Sequence, residues 1–213
     1  KVKPLPIGLI NELLPEITTV LPQSLAKSQI PSALCDLLCR DSESPFFQIV
    51  RRVSTPSSRK RLAVITDNSL LQVIRTSLNS IHGCLYQYRN VASGEVDIAS
   101  CRKMLNLYWS EVKNAFPEAW GKEARVSRLM HGVGIKAMGN LMDRVMSNIR
   151  PDNPNAKKVV KKALYPVREC CAWTSGTWDH LNGIPWNQLQ NTPRDVKLLS
   201  NLLIRVHMGV VNA

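Results

Sequence analysis

Arg128-Leu129-Met130-His131-Gly132-Val133-Gly134-Ile135-Lys136-Ala137-Met138-Gly139-Asn140-Leu141-Met142-Asp143-Arg144 reads as a helix end, a Gly-x-Gly turn and a second helix. Glycine at two alternate positions permits positive φ and lets another backbone come close. The second helix presents its unpaired N–H groups and the positive end of its dipole to the turn, a setting suited to a phosphate. Arg125, Arg128, Lys136 and Arg144 surround that turn with cations. The plainer alternative is a glycine-ended helix followed by a tight corner.

Basic sequence continues downstream of the turn. The chain of 213 residues carries 28 Lys and Arg against 16 Asp and Glu, a net charge of +12. Residues 122–168 hold eleven of those cations (122, 125, 128, 136, 144, 150, 157, 158, 161, 162 and 168) against Glu123, Asp143 and Asp152. A field this concentrated attracts polyanions, so nucleic acid is the expected partner class. Lys157, Lys158, Lys161 and Lys162 fall on one helix face, where four ammonium groups repel one another unless an anion is present. Together, Gly132, Val133 and Gly134, with these lysines and the surrounding arginines, resemble a helix-hairpin-helix site that grips a DNA backbone without reading bases. The alternative is a lysine face that only keeps the helix soluble. An anionic membrane is the weaker partner, because no segment joins a lipid-facing apolar stripe to a cationic face.

The remaining sequence predicts a mainly α, multi-helix domain with at most a small β element. Seven prolines break residues 1–60 into short pieces, which suits an irregular, short-helix segment; residues 61–213 read as the helical domain. Ile7 to Leu14 suits a short helix, and Pro31 sits where a first-turn proline opens a helix through Arg40. Ser54 to Lys60 is a polar, basic loop. Leu62 to Thr66 is the best strand candidate. Asp67 or Asn68 caps a helix with Leu70, Leu71, Ile74, Leu78 and Ile81 at helical spacing, and Val96 to Ala115 forms a longer amphipathic helix. Pro151 and Pro154 mark a hinge before the lysine helix. Thr192-Pro193-Arg194-Asp195 begins a last helix with a cap, a first-position proline and a first-turn acid. Its Leu198, Leu199, Leu202, Leu203 and Val206 form an apolar face, buried internally or else used for self-association.

Catalytic motifs are absent from the sequence. There is no Walker-type phosphate loop, dinucleotide fingerprint, nucleophile elbow or His-Glu-x-x-His helix. The four histidines are far apart; His131 beside the glycines is the most site-like. Six scattered cysteines suggest a reduced, cytoplasmic protein without disulfides. Cys170, Cys171 and His180 can be drawn as metal ligands, but the reading without a metal is preferred. Trp173, Trp178 and Trp186 offer base-stacking surfaces, although anchoring a loop to the core is the better account. No apolar run approaches the roughly 18 residues of a membrane span.

Lys3-Pro4-Leu5-Pro6-x-Gly8-Leu9-Ile10-x-Glu12-Leu13-Leu14-Pro15 resembles a segment of the DGQHR-domain family. So do Ser44-Pro45-Phe46-Phe47, Tyr108-Trp109-x-x-Val112-x-x-Ala115-Phe116-Pro117-x-x-Trp120 and Trp186-x-x-Leu189-Gln190. That family includes the DndB proteins of DNA phosphorothioation systems and the DpdB proteins of deazaguanine DNA-modification systems, and is regarded as related to ParB-type nucleases and NTPases. The motif that names it, Asp-Gly-Gln-His-Arg, does not occur here. The chain also opens at Lys1 without an initiator methionine, so it is expected to be a C-terminal fragment whose ParB-like half lies upstream. The resemblance implies a DNA-modification or restriction setting with DNA and other proteins of that system as partners. It implies ATP for the intact protein and no cofactor in this part. The rival roles are a support for an upstream NTPase or nuclease site, and a protein-interaction module, including a homo-oligomer.

Overall fold

The computed structural model describes residues 23–52 and 63–210, with side chains from residue 29. The expected helix at 7–14 and loop at 54–60 lie outside the described residues. Among the described residues six α-helices dominate: α1 (Gln23–Arg40), α2 (Asp67–Asn79), α3 (Ile98–Ala115), α4 (Gly132–Met146), α5 (Ala156–Glu169) and α6 (Pro193–His207). The strands of the described residues form two small pairs. β1 (Val50–Arg51) runs parallel to β2 (Ile65–Thr66), and β3 (Thr177–Trp178) antiparallel to β4 (Ile184–Pro185). The chain is therefore mainly α with a small β element, as its periodicities predict.

Several ends follow from their sequences. Asp97 accepts the Ser100 N–H at the start of α3, and Thr192 accepts the Asp195 N–H at the start of α6. Other ends differ from expectation. Pro31 lies inside α1 rather than opening it. An interior proline removes one backbone hydrogen bond, at a cost of roughly 3 kcal/mol; burial of Ile30, Leu34, Cys35 and Leu38 on the same helix opposes that loss. Helix α2 stops at Asn79, so Ile81 leaves the predicted apolar stripe and is 73 % exposed. Leu198 likewise sits at the rim of α6 instead of in its buried face.

Helix α4 occupies the centre. Its Val133, Ile135, Ala137, Met138, Leu141, Met142, Val145 and Met146 are all buried, and α2, α3, α5 and α6 pack around it. Tyr108 of α3 donates its hydroxyl to the Met138 carbonyl at 2.8 Å, and Asn140 reaches Ser200 of α6 at 2.8 Å. Leu199, Leu202, Leu203 and Val206 of α6 are buried within this bundle, which accounts for the last helix's apolar face. Trp173 and Trp178 pack edge-to-face at 5.0 Å, with Trp173 also against Phe116; both are core residues rather than stacking platforms.

Candidate nucleic-acid interface

The helix end expected before the glycines is instead a succession of turns from Pro117 to His131, and α4 begins at Gly132. This corrects the helix-hairpin-helix expectation. The glycines are used by the chain's own packing. A Cβ on Gly134 would stand 2.1 Å from the Arg128 carbonyl oxygen, and one on Gly132 would stand 2.6 Å from the Asn191 side chain. His131 caps α4 through a long, 3.5 Å acceptance of the Val133 N–H. Burial, then the neighbouring charges of Arg128 and Lys136, holds the His131 imidazole below its ordinary pKa. The neutral ring is what a cap acceptor requires.

The cations around this turn are mostly engaged. Arg128 donates through two guanidinium nitrogens to the Asn187 carbonyl, and burial lowers its pKa. Arg125 pairs with Glu123. Lys136 is half-buried, and burial depresses its ammonium pKa. Arg144 is exposed and touches the Met208 sulfur at 3.8 Å.

Helix α5 contrasts with this. Ala156, Val160, Leu164 and Val167 bury one side against α3, α4 and α6, and α5 starts after the Pro151–Asn155 turns. At 3.6 residues per turn, Lys157, Lys161, Tyr165 and Arg168 form one outward ridge, with Lys158 and Lys162 beside it. All six are exposed, Tyr165 to 69 %. Among the described residues no carboxylate pairs with Lys158, Lys161, Lys162 or Arg168. Lys157 stands 3.7 Å from Glu111, a carboxylate only 3 % exposed that also accepts the Asn114 amide. That ion pair holds the first turn of α5 against α3 and leaves the later cations unneutralised.

Of the sequence-predicted residues, then, Lys157, Lys158, Lys161 and Lys162 share one open surface, while Gly132, Val133, Gly134, Arg125, Arg128, Lys136 and Arg144 lie on or around the buried α4. Tyr165 and Arg168 extend that surface; Arg168 was counted in the basic run without being placed on this face, and Tyr165 was missed. Their signal was the same three- and four-residue spacing carried one turn further. Among the described residues no cluster of His, Cys, Asp and Glu is arranged to hold a metal, all six cysteines are unpaired, and no helix is long and apolar enough to cross a membrane. Comparison with protein-family models, with curated proteins and with solved structures finds no match for this chain.

Proposed function

We propose that this chain binds duplex DNA through its phosphate backbone, using the outer face of α5, as the helical part of a DGQHR-type protein of a DNA-modification or restriction system. The observation that carries the reading is the α5 ridge: four lysines and an arginine on one exposed helix face, flanking a tyrosine, with four of the five cations unpaired. The ridge from Lys157 to Arg168 extends about 16 Å at 1.5 Å per residue. Two duplex charges per 3.4 Å of axis place several phosphates along such a length. Unpaired ammonium groups lose their mutual repulsion when phosphates come between them, so affinity rests on charge and carries no base preference. Fluorescence anisotropy of a labelled duplex across a salt series tests this. With three to five phosphates neutralised, the log–log slope of affinity against salt is expected at about −3 to −4.5. A flat salt dependence, or no binding at low salt, would contradict it.

A further inference from the structure

A cavity of about 420 Å³ opens between α4, the last turn of α6 and the connection from α2 to α3, away from the α5 ridge. This volume lies within the range of small-molecule sites. Its wall includes Asp143, whose Oδ1 accepts both the Ser77 hydroxyl and the Cys84 N–H. The Cys84 thiol also hydrogen-bonds this carboxylate, and among the described residues no cation lies within ion-pair distance of it. Burial accordingly raises the pKa of this group. Two more acceptors border the same space. Asn140 donates one amide N–H to Ser200 and Gln87 one to the Cys84 carbonyl, and both side-chain oxygens remain as acceptors. Arg144 adds a guanidinium, and Ile81, Tyr86 and Ile204 add apolar surface.

A wall of acceptors beside a carboxylate selects a ligand with adjacent N–H donors on one edge. The neighbouring arginine and the chain's +12 charge select a ligand that is anionic elsewhere. Guanine meets the first condition, since N1–H and the N2 amino group sit side by side. Adenine and cytosine set one amino group next to a ring nitrogen acceptor, which a carboxylate repels. We propose that this cavity binds a guanine nucleotide, with Asp143 accepting from the base edge and Arg144 facing the phosphate. The same chemistry is offered by a free nucleotide and by an unpaired guanine in a strand.

Calorimetric titration with guanosine, adenosine and cytidine monophosphates tests the site, alongside two short single strands that differ only in containing dG. Guanosine monophosphate, the dG strand, or both are expected to bind at least tenfold tighter than their counterparts. A preference in the first arm alone identifies the free nucleotide; a preference in the second alone identifies the strand residue. Equal binding within both arms overturns the proposal. Asp143→Asn keeps the Oδ1 acceptor and turns Oδ2 into a donor, so the preference for guanine should vanish. Should that variant fail to fold, Ile81→Glu at the exposed mouth is expected to weaken the guanine ligand about tenfold with the fold intact. An unchanged affinity in Ile81→Glu would count against the site. Lys161→Glu/Lys162→Glu should leave nucleotide binding within twofold, which keeps this test independent of the α5 reading.

Discussion

Gly134 sits where α4 begins beneath the backbone of Arg128 and Leu129, and its missing side chain is a packing requirement. Gly134→Ala forces that backbone apart, and overpacking of this kind costs about 1–3 kcal/mol; chemical denaturation should show a lowered midpoint with helicity largely kept. His131 makes the same junction sensitive to pH. Its folded pKa lies below the ordinary 6.5, so the stability it contributes is fully present above that value and is lost as pH falls through the lowered one. Replacing it with asparagine, a cap that does not titrate, should flatten the fall in melting temperature as pH drops below about 6.5; an unchanged pH slope would refute this role. Asp143 opposes that trend, because its raised pKa favours the folded state toward acid. Asp143→Ala leaves the Ser77 hydroxyl and Cys84 N–H without their acceptor and should cost about 1–3 kcal/mol in a denaturant titration, against a small change for Asp143→Asn. None of these three local roles was readable from the sequence, since each depends on which distant backbone arrives beside the residue. The sequence singled out His131 as the most site-like histidine and offered the Gly-x-Gly turn to an outside phosphate, where the glycines instead serve the chain's own packing.

Helices differ in how openly they announce themselves. Apolar spacing announces α3, and start signals join it in α6; both appear where expected, α6 capped by the predicted Thr192 and α3 by Asp97, which the structure adds. Thr192→Ala should lower stability by about 1 kcal/mol, measured by thermal melting, through loss of the Asp195 N–H acceptor. Helix α1 was less legible because Pro31 carries a strong first-turn signal that tertiary burial of Leu34, Cys35 and Leu38 overrides. Strand β2 falls inside the Leu62–Thr66 candidate, whereas β1, β3 and β4 were hidden for another reason: two residues are too few to display alternation. In α5 the lysine face was plain from spacing alone. Tyr165 and Arg168 needed only the same spacing carried further, whereas the buried Glu111 beneath Lys157 needed the packing of α3 against α5.

Charge and core are segregated across the molecule. The centre is α4, surrounded by four helices and sealed by the Trp173–Trp178 loop, while four exposed cations without a carboxylate partner lie together on α5. Because the α5 lysines are exposed and their helix is anchored by Val160, Leu164 and Val167, charge can be reversed there without disturbing what holds the fold. The central claim is thus separable from stability. The most direct test compares duplex affinity at fixed low salt for Lys158→Glu/Lys161→Glu/Lys162→Glu with a control reversing three exposed cations elsewhere, Arg75, Arg102 and Lys113. Both variants change net charge by the same amount, so bulk electrostatics affects them alike. The α5 variant should lose at least tenfold more affinity than the control, with unaltered melting temperature and a salt slope shallower by about one unit for each phosphate the helix no longer neutralises. Equal losses in the two variants would mean that DNA answers only the protein's overall charge, and the α5 face would no longer be its docking surface.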